Sequence, residues 1–97
     1  MTRLVVRPAA ANDLRSAYRW YEEQQPGLGE ELLEEVQAVI DRMLLLPRAY
    51  PTVHRDTRRA LVRRFPYGIF FRANDDAVIV VAVYHLRRNP RSWQQRR

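Results

Sequence analysis

Apolar positions divide the chain into two helical stretches followed by a run of strands. After a short apolar patch at Leu4-Val5-Val6 flanked by Arg3 and Arg7, Pro8 marks the first turn of a helix, where its missing N–H costs nothing. Leu14, Ala17, Tyr18 and Tyr21 then recur at helical spacing, with Arg15, Arg19, Glu22 and Glu23 off that face and Arg19 placed to pair with Glu22 and Glu23. Gln25-Pro26-Gly27 stops this helix. Gly29 opens a second, with Leu28 as a hydrophobic staple just before it and Leu32, Leu33, Val36, Val39, Ile40, Met43 and Leu44 in one broad stripe. Its early acids, Glu30, Glu31, Glu34 and Glu35, suit the positive end of the helix dipole. Pro47 ends it, and the short linker predicts an antiparallel hairpin of the two helices.

From there the period changes. Residues 48–58 read as a loop, and strands are predicted over 59–65, 69–73 and 77–85, separated by turns at Pro66-Tyr67-Gly68 and Asn74-Asp75-Asp76. Val78 to Tyr84 is continuously apolar, the mark of a strand buried on both faces. Simple alternation would send Val78, Val80, Ala82 and Tyr84 one way and Ile79, Val81 and Val83 the other. The predicted fold is α+β, ordered β-α-α-β-β-β. It is an antiparallel-rich four-stranded sheet with the helical hairpin on one face and the first strand beside the last. Two helices cover only one face of such a sheet. The other needs a lid, either the 48–58 loop with the C-terminal tail or a partner chain.

The 97 residues, 46% hydrophobic, suit one domain spanning 1–97. There is no cysteine, hence no disulfide framework or thiolate metal site, and two histidines make no zinc set. No phosphate-cradling glycine loop is present, and no cofactor is expected. No apolar run approaches the ~20 residues of a membrane helix, so a cytoplasmic protein is expected. All 17 basic residues are arginine, which removes lysine as a base or nucleophile. Residues 1–47 hold five arginines against eight acids, a net of −3, and residues 48–97 hold twelve against three, a net of +9. A cationic second half implies an anionic partner, nucleic acid or acidic protein. Arg58, Arg59, Arg63, Arg64, Arg72, Arg87, Arg88 and Arg91 would form one basic surface if the strands pair as drawn.

The order of elements, together with Trp20-Tyr21-Glu22-Glu23-Gln24, Pro26-Gly27-Leu28-Gly29, Pro47-Arg48-Ala49-Tyr50-Pro51, Arg64-Phe65-Pro66-Tyr67-Gly68-Ile69 and the exit His85-Leu86-Arg87-Arg88-Asn89-Pro90-Arg91-Ser92-Trp93, resembles the RelE/ParE superfamily of type II toxin–antitoxin toxins. The resemblance covers nearly the whole chain and implies two activities. ParE-like toxins bind and poison DNA gyrase without chemistry of their own, whereas RelE-like toxins are ribosome-dependent mRNA endonucleases. Both imply a hetero-oligomer with a cognate acidic antitoxin.

Cleavage of RNA needs a base, an acid and cations on the phosphate, which RelE-like toxins draw from lysines, arginines and a terminal Tyr or His. Here lysine is absent and Trp93 stands where the tyrosine is expected; an indole transfers no proton at neutral pH. His85, with Arg64 and Arg87, is the one nuclease set left, and a hydrogen-bonded strand-end histidine is its structural alternative. The ParE-like branch is therefore favoured, with Arg87, Arg88, Arg91 and Trp93 as the target contact. Trp20, Tyr21, Leu28, Arg63 and Arg72, on the hairpin and the open sheet face, are the expected antitoxin contact. A ribosome- and mRNA-directed nuclease and a non-toxic protein-binding module are the alternatives.

Overall fold

The computed structural model describes residues 2–96. The chain runs β1 (Arg3–Val6), α1 (Pro8–Gln24), α2 (Leu28–Leu45), a 3-10 turn (Pro47–Ala49), β2 (Thr52–His54), β3 (Thr57–Leu61), β4 (Tyr67–Ala73), β5 (Ala77–His85) and α3 (Arg91–Gln94). The strands form one mixed sheet ordered β1-β5-β4-β3-β2. As expected, β1 lies beside β5; it runs parallel to it, with Val6 opposite Val80, while every other pair is antiparallel.

The α+β class and element order hold, but the sheet has five strands, not four. The extra one is β2, inside the stretch expected to be a loop. It pairs with β3 through a tight turn at Arg55-Asp56, where Arg55 adopts a left-handed conformation (φ 53°). No glycine or asparagine announces that turn. The strand predicted over 59–65 is shifted to Thr57–Leu61, and β4 begins at Tyr67, inside the expected turn.

The hairpin packs where its pattern directs. Leu32, Val36, Val39 and Met43 of α2 and Ala10 and Ala17 of α1 are buried with Ala60, Ile69, Phe71, Val78, Val80 and Val83 of the sheet. Helix α2 starts at Leu28, so this residue is its first rather than a staple ahead of it, and it packs against the same core. The helices approach closely at Gly29, where an added Cβ would lie 2.7 Å from the Tyr18 carbonyl oxygen. No side chain at the usual N-cap position serves α2; Gly27 there has φ 92°. Glu22 reaches over from α1 instead, its carboxylate accepting from the backbone N–H of Gly27 (3.1 Å), Gly29 (2.9 Å) and Glu30 (3.3 Å). A carboxylate at that end satisfies orphan donors and meets the helix dipole. The expected Arg19–Glu22 pairing is absent among the described residues because Glu22 has this other use.

Strand β5 departs from simple alternation. Phe70 is opposite Ala82 and Phe71 opposite Val80, so Val81 is an extra residue, a β-bulge. Before it Val78 and Val80 face the helices; after it Val83 does, while Val81, Ala82 and Tyr84 face the other side. The predicted division of these side chains is thus reversed from Ala82 onward.

The second face is closed by the chain's own tail. Trp93 stacks on Phe70 with ring centroids 4.1 Å apart and packs with Val81, Ala82 and Tyr84; His54 of β2 meets its edge at 6.0 Å. At 6% exposure, Trp93 is a core residue. Arg96 fixes this lid. It donates to Asp13 of α1 (2.6 and 3.2 Å) and to the Val81 carbonyl (3.0 Å), and its guanidinium lies 5.0 Å over the Tyr84 ring. Asp13 in turn accepts from the backbone N–H of Val83 at 3.0 Å. Since β1 ends at Val6, opposite Val80, these two side chains take over the β5 edge that β1 leaves unpaired.

Candidate functional site

Tyr67 of β4 and His85 of β5 are directly opposite each other, and the chain turns out of the sheet there. Leu86 N–H donates to the Pro66 carbonyl (2.9 Å) and Arg88 N–H to the His85 carbonyl (3.0 Å), so the exit is a defined turn leading to α3. Arg87, Arg88 and Arg91 are exposed along it. The Arg88 guanidinium lies 4.0 Å over the Tyr84 ring, a cation–π contact that holds one arginine of the three in place.

The bulge decides what His85 faces. With the alternation reset, it shares the helix-side face of the sheet with Val83, edge-on to Tyr67 at 5.4 Å. Its Nδ1 accepts from the Arg87 backbone N–H at 3.1 Å, which assigns the remaining proton of the neutral ring to Nε2. His85 is thus a strand-end histidine hydrogen-bonded to backbone. Trp20, Asn12, Ser16, Tyr67 and Arg88 join it around an open groove of about 380 Å³. Burial, then the neighbouring Tyr21, push the Tyr67 hydroxyl above its ordinary pKa, against a smaller opposing pull from Arg88. That phenol keeps its proton and offers no base.

Arg64 is not among the residues lining this groove. Held in a left-handed conformation (φ 69°), it donates to Glu31 at 2.7 Å and lies 3.5 Å from Glu35, both on α2. The Glu31 hydrogen bond raises its pKa further, so it stays a paired cation. Arg64 is thus committed to α2 and does not line the groove at His85.

The single basic surface expected from the sequence divides. Arg58 donates to the Tyr50 carbonyl at 2.6 Å on the helix side, while Arg59, opposite Phe70, and Arg72, opposite Ile79, belong to the tail side. Arg72 donates to the Arg96 carbonyl at 2.9 Å, tying down the lid. The sequence expectation missed Asp13 and Arg96, which lie 83 positions apart and become partners only when the tail closes. Of the residues expected to meet an antitoxin, Trp20 stands 55% exposed on α1 and Arg63 is exposed, whereas Tyr21 packs edge-on to Phe65 at 5.1 Å and Leu28 joins the core. Trp93, expected at the target contact, serves instead as the lid that carries the basic exit.

A helical hairpin on one face of a mixed sheet, a tail lid on the other and an arginine-rich exit between them define a small α+β fold. The family described as "ParE toxin of type II toxin-antitoxin system, parDE" matches residues 4–90, and the chain belongs to that family. It is 30% identical over 89 residues to proteins named Toxin ParE2 from two strains of Mycobacterium tuberculosis, over 91% of this chain and 85% of theirs. Among solved structures, one titled "Chromosomal ParDE TA system from P. aeruginosa" superposes with a TM-score of 0.78 at 17% identity, covering 88% of this chain and 96% of that one. The protein is a ParE-type toxin of a type II toxin–antitoxin system, and membership of such a system implies an antitoxin partner. No described helix is long and apolar enough to cross a membrane.

Proposed function

We propose that this toxin acts by binding DNA gyrase through its basic exit, Arg87, Arg88 and Arg91, and performs no chemistry of its own. The observation that carries this reading is the setting of His85. Its Nδ1 accepts from backbone, and Arg64 is turned to α2; burial favours the protonated form of its Tyr67 neighbour. A nuclease would need an acid, a base and cations converging on one phosphate. Binding needs only a positioned set of charges, which the Arg88–Tyr84 stack and the Trp93 lid supply.

A cognate antitoxin neutralises the toxin by covering the hairpin around Trp20 together with the surface near Arg63. An exposed tryptophan is the residue type that most often anchors an interface, and an acidic partner complements the chain's positive net charge of +6. The test is supercoiling by purified gyrase in the presence of the toxin. Inhibition by the wild-type chain, abolished in Arg87→Ala/Arg88→Ala/Arg91→Ala and retained in His85→Ala, supports the proposal. Ribosome-dependent mRNA cleavage lost on His85→Ala, with supercoiling untouched, overturns it.

A further inference from the structure

A concavity larger than the groove at the His85 exit lies elsewhere on the described molecule. It is a cleft of about 620 Å³ between the β2–β3 turn and α3, floored by β4. Its wall carries Arg55 from the turn, Arg72 from β4, and Arg91 and Arg96 from the tail, with the amides of Gln94 and Gln95 between them. Arg55 and Arg91 make no ion pair among the described residues. Asp56 is the one acid in the lining, and its carboxylate is 3.9 Å from Arg72 Nε, beyond hydrogen-bond reach. That Nε is enclosed and has no acceptor. Buried donors are nearly always satisfied, so the unpartnered Arg72 Nε, whose guanidinium otherwise donates to the Arg96 carbonyl, marks this wall as short of negative charge.

We infer that the cleft binds a compact polyphosphate anion, the triphosphate of a nucleotide or a free inorganic polyphosphate. Arginines from three separate segments line one concavity; Arg72 and Arg96 are hydrogen-bonded to the lid, while Arg55 and Arg91 carry no ion pair among the described residues, and guanidinium forks are suited to gripping phosphate oxygens in pairs. A peptide would need apolar anchor pockets and a single strand of nucleic acid would need stacking platforms. The lining is polar: its aromatic ring, His54, sits edge-on to Trp93 at 6.0 Å, and the adjacent Trp93 and Phe70 are stacked on each other. The volume falls in the range of small-ligand sites. Because Arg72 and Arg96 also fasten the lid, a bound anion bridges the turn to the tail and stabilises the closed form.

The test is calorimetric titration of the full chain with inorganic tripolyphosphate and, separately, with ATP. The expected result is saturable one-to-one binding that weakens as salt rises and falls at least about tenfold in Arg55→Ala/Arg91→Ala. Equal affinities for the two ligands assign the site to the phosphates alone, and tighter ATP binding adds a nucleoside contact. Arg3→Ala/Arg7→Ala removes the same charge far from the cleft and is expected to leave affinity within about twofold. Both pairs are surface changes, and circular dichroism checks that each variant folds. Absence of saturation at millimolar ligand, equal losses in the two double variants, or tighter binding of hexaglutamate or an oligouridylate than of tripolyphosphate each overturns the inference. The readout is direct binding, so it stands or falls apart from the gyrase reading.

Discussion

Replacing Asp13 by alanine tests the lock on which the second sheet face depends. The carboxylate is 9% exposed and accepts three hydrogen bonds, two from Arg96 and one from the Val83 backbone. Its loss leaves the Val83 N–H, beyond the end of the β1 pairing, without its partner, a cost of about 1–3 kcal/mol. Breaking a fully buried ion pair costs ~3–5 kcal/mol, but the Arg96 side chain is 23% exposed and can turn toward water, so only part of that applies. The expected sum is about 2–4 kcal/mol, a large share of the ~5–15 kcal/mol that holds a domain together. Urea denaturation of Asp13→Ala, Arg96→Ala and the double variant measures it. Their coupling is expected to be about 1–2 kcal/mol, with Asp13→Asn intermediate because one amide oxygen can still accept. A loss under about 0.5 kcal/mol for Asp13→Ala, or additive single losses, would refute the reasoning.

Other consequences follow from the same contacts. Gly29→Ala forces a Cβ against the Tyr18 carbonyl and is expected to cost about 1–3 kcal/mol by thermal or urea unfolding, because backbone gives way less readily than a side-chain tip. Trp93→Ala unroofs Phe70, Val81 and Tyr84, so a drop of about 3 kcal/mol should come with raised dye binding to exposed apolar surface. Trp20→Ala is expected to leave stability within about 0.5 kcal/mol while weakening antitoxin binding by ~2 kcal/mol or more, measured by titration of the two proteins. The folded state raises the Tyr67 pKa, chiefly by burial, so its contribution is intact below the unfolded value near pH 10 and is lost as pH rises through the folded value. An alkaline melting series should therefore show a shallower decline for Tyr67→Phe than for wild type.

The hairpin and the buried strand were legible because their signals are local. The spacing of Leu32, Val36, Val39 and Met43 and the β-branched run at 78–84 leave few other solutions. The bulge at Val81 was not legible for the same reason: a strand with no polar residue gives no mark of which side chain faces where, and one extra residue reverses everything after it. That reversal sets the face of His85. Glu22 reads as a surface partner of Arg19 until the hairpin closes and offers it the bare amides of α2. Trp93 reads as a terminal aromatic available to a target, yet Phe70 and Arg96 turn it inward. Both misreadings share a cause. A polar or aromatic side chain takes its use from tertiary neighbours that sequence spacing does not reveal, as the distance between Asp13 and Arg96 illustrates.

The central claim is that the exit arginines act by binding a target and that no proton transfer at His85 is involved. Supercoiling by gyrase, titrated with wild-type toxin, His85→Ala and the exit triple variant, measures this most directly. Equal inhibition is expected from the first two and none from the third. Full inhibition by the triple variant, or loss of inhibition with His85→Ala alone, would contradict it.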